Sequence, residues 1–219
     1  MPAELRQDPA MLGTSGHERR ERDFYPTPVE ATDPSIDWLD MVAFGAKLKI
    51  WECAAGDLAM VTPLKNAGHT VVSSDIVPLA DGIHSFDFLN NGFPEFARGC
   101  HGIATNPPYG ELAQDFVEMA LEHIENDHIR FAAFLMRHEY DCAVGRRHLF
   151  DESPYYAAKV TLTFRPRWIA GSTGAPRHNY AWYIWTRHHE GRPQQFYAHR
   201  KDDTPTVSEA INGILGSAA

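Results

Sequence analysis

Residues 48 to 76 constrain the fold most, because they read as strand, glycine turn, helix and a second strand that ends on an acid. Leu48 to Glu52 is a short apolar run of strand character, and Cys53-Ala54-Ala55-Gly56-Asp57 follows as a tight turn. Residues 58 to 67 have the spacing of a helix closed by Gly68, and Thr70 to Ser74 is a second strand with Asp75 at its end. Two strands joined through a helix run parallel, and a parallel sheet needs cover on both faces. The pattern continues downstream. Gly102 to Thr105 reads as a strand leading into Asn106-Pro107-Pro108-Tyr109, residues 111 to 124 as a helix with Leu112, Phe116, Ala120 and Ile124 on one face, and Ile129 to Met136 as a long apolar strand. Helices are also predicted near residues 34 to 44, where Trp38, Leu39, Met41 and Val42 recur at helical spacing, and over 142 to 150. Ala157 to Phe164 and Tyr180 to Thr186 are strands with no helix between them, so they are predicted to pair antiparallel at one edge. The expected fold is α/β, with a mostly parallel sheet and an antiparallel edge strand.

A chain of 219 residues suits one domain with a real core. That domain is expected over residues 23 to 202, between a polar arm at 1 to 22 and a tail or short amphipathic helix at 203 to 219. No run of about 18 or more apolar residues is present, so no membrane span is expected. The start, Met1-Pro2-Ala3-Glu4, lacks the apolar core of a signal peptide. Cys53, Cys100 and Cys142 are widely spaced and read as free thiols in a reducing cytoplasm; they form no zinc pattern, and no metal is expected. A net charge of -9 argues against a strong non-specific hold on nucleic acid and still permits a local basic groove.

Asn106-Pro107-Pro108-Tyr109 carries the most chemical information. It resembles the signature of the S-adenosylmethionine (SAM)-dependent amino-methyltransferases that act on adenine N6 or cytosine N4 in DNA, where Asp, Asn or Ser precedes Pro-Pro and an aromatic residue. The resemblance implies a Rossmann-like class I methyltransferase fold and SAM as cofactor. It also implies a role for each residue. An exocyclic amine is a poor nucleophile because its lone pair is delocalised into the ring. The Asn106 oxygen and the Pro107 carbonyl would accept both amine hydrogens and aim the lone pair at the methyl group. Pro107 and Pro108 stiffen the loop so that those acceptors are preorganised. Tyr109 would stack on a base that has left the duplex. Transfer would then be a direct displacement with no covalent enzyme intermediate. Taken alone, the four residues are also what a tight turn capping a strand would use; their place downstream of a glycine turn in an α/β chain gives them weight.

Three further motifs follow the family's order. Tyr25-Pro26-Thr27-Pro28 resembles the segment that lines the methionine end of the cofactor, with Thr27 offering a hydroxyl to its carboxylate. Glu52-Cys53-Ala54-Ala55-Gly56-Asp57 resembles the cofactor turn: Gly56 lets backbone approach closely, Asp57 would hold the amino group, and Glu52 braces the loop. The family's later glycine is absent, since Leu58 follows Asp57. Asp75, with Ile76 beside it, is placed to accept hydrogen bonds from both ribose hydroxyls. Asp87 and Phe88, in Phe86-Asp87-Phe88-Leu89, resemble the next acidic motif, which takes the adenine amine and flanks its ring. The resemblance spans roughly residues 24 to 140.

The loop from Arg165 to Asn179 holds Arg165, Arg167, Arg177, His178 and Trp168, a basic and aromatic set suited to phosphate contact and base stacking. Arg137 and His138 are expected near the same sheet edge, and Arg146, Arg147 and His148 would extend a basic surface or face water. The expected partner is nucleic acid, DNA first; the sequence carries no signal for its oligomeric state. A separate target-recognition region is missing, which implies weak or short sequence specificity and resembles the compact enzymes of phages and prophages. The alternatives are an RNA adenine methyltransferase, a protein methyltransferase acting on a glutamine amide, and a non-catalytic scaffold of the same fold.

Overall fold

Every residue of Phe131–Arg137 and of Tyr180–Thr186 except the last is buried, which is the mark of strands covered on both faces. The computed structural model that shows this describes residues 26–201 except 111, 170, 172 and 174. The arm at 1–22, Tyr25 and the tail at 203–219 lie outside the described residues. In chain order the elements are α1 (Val29–Val42), β1 (Lys49–Glu52), α2 (Val61–Asn66), β2 (Thr70–Asp75), β3 (His84–Ser85), β4 (Gly102–Thr105), α3 (Leu112–Glu125), β5 (Phe131–Arg137), β6 (Tyr156–Leu162), β7 (Tyr180–Thr186) and β8 (Gln194–Ala198). They build one sheet in the order β3-β2-β1-β4-β5-β7-β6-β8.

Side-chain alternation along the strands divides the core into two layers. Ala132, Phe134 and Met136 of β5 join Ala181, Tyr183 and Trp185 of β7 on the face covered by α3. Phe131, Ala133 and Leu135 join Tyr180, Trp182 and Ile184 on the face covered by α1 and α2. The three fully buried tryptophans each find an acceptor for the indole N–H. Trp182 donates to the Ala31 carbonyl at 2.8 Å, Trp185 to the Leu149 carbonyl at 2.6 Å, and Trp51 to Ser74 Oγ at 2.8 Å. Burial of roughly 200 Å² of indole at about 25 cal/mol per Å² contributes about 5 kcal/mol for each. Those bonds also fix α1 and the loop ending at Leu149 against the sheet.

The parallel sheet, the first βαβ unit and the antiparallel pairing of β6 with β7 agree with expectation. Four details differ. The antiparallel strand β7 is interior, between β5 and β6, because its three-residue aromatic run Trp182, Tyr183 and Trp185 needs burial on both faces. The edge is β8, parallel to β6, whose sequence Gln-Gln-Phe-Tyr-Ala has too few apolar residues to signal a strand. The helix expected over 58 to 67 is only Val61–Asn66, since Gly56 (φ 50°) and Leu58 (φ 70°) hold left-handed conformations that a right-handed helix cannot contain. The helix expected over 142 to 150 is two 3-10 turns, Tyr140–Cys142 and Val144–Leu149, broken by extended Ala143. In addition, α1 starts at Val29, directly after Pro28, and carries Pro34 inside it instead of beginning there.

Gly102 opens β4 opposite Phe131 of β5. A Cβ at this position would lie 2.5 Å from the Phe131 carbonyl oxygen and 2.5 Å from its ring carbons. Gly102→Ala should therefore destabilise the fold by about 2 kcal/mol or more through overpacking against backbone. Denaturant unfolding checks this; an unchanged midpoint would show that β4 moves aside freely.

Candidate active site

Chain direction opens a crevice beside β1 and β4. From β1 the chain proceeds outward to β2 and β3, and from β4 it proceeds the other way to β5, so their connecting loops diverge at the carboxyl ends. A cavity of about 1290 Å³ lies there. Pro26, Thr27, Glu52, Ala54, Gly56, Asp57, Asp75, Ile76, Asp87 and Phe88 line it together with Asn106, Pro107, Pro108 and Tyr109. Thus five separated segments meet at one place. Pro28 is not in the lining and caps the start of α1 instead.

The register Trp51↔Ile103 brings Glu52 beside the end of β4. Glu52 is buried, and its Oε1 accepts from the Ala54 N–H at 3.0 Å and from the Thr105 hydroxyl. Burial pushes the Glu52 carboxyl up to about 8, against the lowering effect of those two hydrogen bonds. At neutral pH it is mostly protonated. Its Oε2 has no hydrogen-bond partner among the described residues, though the side chain lines the cavity.

The turn after β1 is held by β2. Asp75 accepts from the Gly56 N–H at 2.9 Å through Oδ2 and from the Val77 N–H at 2.9 Å through Oδ1, while the Ala55 N–H donates to the Ser74 carbonyl. Each Asp75 oxygen keeps a lone pair for a vicinal diol. Leu58 holds a left-handed backbone, the conformation glycine takes most readily, and this shapes the turn. Asp57 is exposed, and its Oδ1 accepts from the Ala59 N–H at 3.1 Å. Asp87 shapes its own loop by accepting from the Leu89 N–H and Asn90 Nδ2, at 3.0 and 2.8 Å. Phe88 is buried edge-on against Trp51, with ring centroids 5.3 Å apart, so it supports the cavity wall from the core. Exposed Ile76, Val77 and Leu79 form the apolar rim.

Asn106 is held by two hydroxyls. Its Nδ2 donates to Thr27 Oγ1 at 3.0 Å, and its Oδ1 accepts from the Tyr109 hydroxyl at 2.7 Å. Burial, and next the neighbouring Tyr180, raise the Tyr109 phenol well above its ordinary value, so it remains a donor. Tyr109 belongs to an aromatic group with Trp168 and Tyr180, at centroid distances of 6.2 and 6.0 Å. Arg137 at the end of β5 lies 5.7 Å over the Tyr180 ring.

The basic residues divide into two sets. Partial burial first, and then the cations of Arg137, Arg177 and Arg165, depress the His178 imidazole, with Glu139 opposing them. These groups therefore share one electrostatic neighbourhood around His178, of which Arg137 also acts on Tyr109; none of them is in the cavity lining. Arg165 donates to Asn179 Oδ1 at 2.9 Å and stiffens the loop. By contrast, Arg167 turns its backbone N–H to Glu30, Arg147 pairs with Asp151 and Glu152, His148 pairs with Glu118, and Arg146 covers the Tyr140 ring. His138 offers its carbonyl to Lys159. Sequence reasoning missed Met60, Val77, Leu79, Asn90, Leu112 and Phe116 in the cavity lining, and Thr105 and Tyr180 as supports behind it; Thr105 directly precedes Asn106, but nothing in its type announces a bond to Glu52. Among the described residues, no group of three or more His, Cys, Asp or Glu is placed to hold a metal, and no helix is long and apolar enough to cross a membrane.

No protein-family model and no curated protein matches the sequence. Solved structures do match the fold. A Listeria monocytogenes protein assigned as a class I SAM-dependent methyltransferase superimposes over 94% of this chain and 73% of its own, with a TM-score of 0.58 and 13% identity. A Pyrococcus horikoshii protein assigned as an RNA methyltransferase superimposes over 81% of this chain and 94% of its own, with a TM-score of 0.56 and 14% identity. The chain has the Rossmann-like fold of the class I SAM-dependent methyltransferases, with the β7 insertion between β5 and β6 and an added β8.

The raised Glu52 value has a signed consequence for stability. A carboxyl that holds its proton more tightly when folded contributes fully below its unfolded value of 4.5, and that contribution is lost as pH rises through about 8. Glu52→Gln keeps the shape and the Oε1 acceptor but cannot ionise. Between pH 5 and 8 the wild type should lose at least about 2 kcal/mol relative to the variant. Parallel stability curves in urea would contradict a protonated Glu52.

Proposed function

We propose that this chain transfers a methyl group from SAM to the exocyclic amino group of adenine in DNA. The observation that carries the reading is Asn106. Its amide oxygen lies at the end of β4, in the wall of a cavity large enough for a nucleoside cofactor with a base beside it, and it is already engaged by an O–H donor. An amine hydrogen of the substrate would replace that donor.

The residues fit the cofactor. Asp75 retains acceptor capacity for ribose hydroxyls, Asp87 and the Ile76 rim suit an adenine, and the orphaned Glu52 Oε2 supplies a polar group at the buried end. SAM, when bound, supplies an electrophilic methyl group on a sulfonium. Everything else falls to the chain. Asn106 Oδ1 and the Pro107 carbonyl accept the two amine hydrogens and draw the lone pair out of conjugation. Tyr109, Trp168 and Tyr180 form an aromatic wall for the flipped base. Arg137, Arg165 and Arg177, grouped around His178, would meet phosphate. Pro26 and Thr27 would close the methionine end. Cytosine N4 presents the same hydrogen pattern, so the same residues would serve it, and nucleoside mass spectrometry separates the two products.

Asn106→Ala should abolish transfer to unmethylated duplex DNA while SAM affinity changes by less than about twofold, since Asn106 serves the amine. Full activity in this variant would refute the mechanism. Asp75→Ala should weaken SAM binding by at least about 1 kcal/mol in calorimetry. Labelled transfer to a panel of duplex DNA, single-stranded DNA, RNA and protein, followed by nucleoside mass spectrometry, tests the substrate. Label confined to RNA or protein would replace the DNA reading.

A further inference from the structure

We infer that Thr27 is a positioning residue that orients the Asn106 amide, so that its oxygen and not its nitrogen meets the substrate amine. The inference rests on the proposed amino-methyl transfer. An asparagine amide rotated by 180° has nearly the same shape but presents N–H donors where an acceptor is needed. Facing an amine, that orientation sets donor against donor and leaves the lone pair conjugated.

Thr27 and Tyr109 together choose the orientation. Thr27 Oγ1 receives Asn106 Nδ2 at 3.0 Å and Tyr109 donates to Oδ1 at 2.7 Å. The reverse arrangement would need the phenol oxygen to accept and the alcohol to donate. A phenol is the stronger donor of the two, because it is more acidic, and an aliphatic alcohol oxygen is the better acceptor. The observed pairing therefore uses each hydroxyl in its stronger role. Once a substrate amine displaces the Tyr109 hydroxyl, Thr27 alone holds the nitrogen.

Local sequence makes Thr27 a rigid acceptor. Pro26 and Pro28 fix the backbone on either side, a residue before proline is held extended, and a β-branched side chain has few rotamers. Thr27 is also buried, at 8% exposure, so water does not replace it readily. The contact bridges 79 residues and ties the entry segment to the end of β4. The hydroxyl hydrogen stays available for a cofactor carboxylate, so positioning and cofactor contact need separate readouts.

Four variants supply them: T27V removes the hydroxyl and keeps the shape, T27S keeps the hydroxyl, N106D presents two equivalent oxygens with nothing to orient, and T27V/N106D combines two of these. Single-turnover transfer to DNA at saturating SAM should fall at least about tenfold in T27V, a larger factor than any loss of SAM affinity that calorimetry reads in the same variant. T27S should recover most of the rate. In the N106D background, T27V should change the rate by no more than about twofold, a non-additivity that a merely structural role does not produce. The Asn106 side-chain amide pair, assigned in proton–nitrogen spectra by its loss in N106D, should shift in T27V and stay in place in T27S. An active wild type with unaffected T27V, the same T27V factor in both backgrounds, an unshifted amide pair, or a loss explained by SAM affinity would each overturn the inference while leaving methyl transfer standing. A wild type inactive on every nucleic acid would remove both.

Discussion

The hydrogen bond from Thr105 to the buried Glu52 carboxyl joins the two strand ends on which the site is built. Glu52 begins the turn that receives Asp75, and Thr105 precedes Asn106. Were Glu52 ionised, the ends of β1 and β4 would share an uncompensated buried charge, which costs several kcal/mol in a dry interior. Protonation resolves this, and burial is its cause. The same group leaves one oxygen without a hydrogen-bond partner on a side chain that lines the cavity. A single buried acid thereby connects the stability of the sheet to the polarity of the cavity's deep end.

Rigidity around that joint comes from aromatic packing. Trp51 follows Ile50 in β1, and its ring meets Phe86, Phe88, Phe93 and Phe96 within about 6 Å. Two of these residues flank Asp87, so the acidic loop is fixed by core contacts and not by its own hydrogen bonds alone. Across the sheet, Trp182 anchors α1, and with it the Pro26–Thr27–Pro28 entry, to β7. The positions of Thr27, Asp87 and Asn106 therefore depend on dense packing, which resists the small displacements that would spoil a near-attack geometry.

Much of this was legible in the sequence for definable reasons. The parallel sheet followed from crossover logic; Glu52, Gly56 and Asn106 were singled out by their resemblance to family motifs and Asp75 by its place at a strand end, and one cavity lining brings all four together. What escaped was set by tertiary context. β8 carries no periodic signal because an edge strand half in water needs none. The interior place of β7 depends on the loop that reverses the chain after β6. The left-handed Leu58 hides the shape of the turn behind a residue that ordinarily avoids it. The partners of Asn106 were invisible for the same reason: Thr27 lies 79 residues away, and two hydroxyls do not announce which one accepts. Of the basic residues, sequence flagged more than the structure groups around His178, since Arg146, Arg147 and His148 find partners within the protein.

Charge then bears on how a nucleic acid would be held under the proposed reading. The chain is acidic overall, at -9, and the cations grouped around His178 are Arg137, Arg165 and Arg177, with the imidazole itself depressed. Each phosphate neutralised adds roughly 0.9 to the logarithmic salt slope on duplex DNA, so three guanidiniums account for only a shallow dependence and a small share of the free energy. Stacking of a base on aromatic rings contributes about 1–3 kcal/mol and is insensitive to salt. Tyr109, Trp168 and Tyr180 are the groups placed to supply it. On this balance the flipped base, more than the backbone, holds the substrate, and a chain built this way gains little from DNA it cannot unstack.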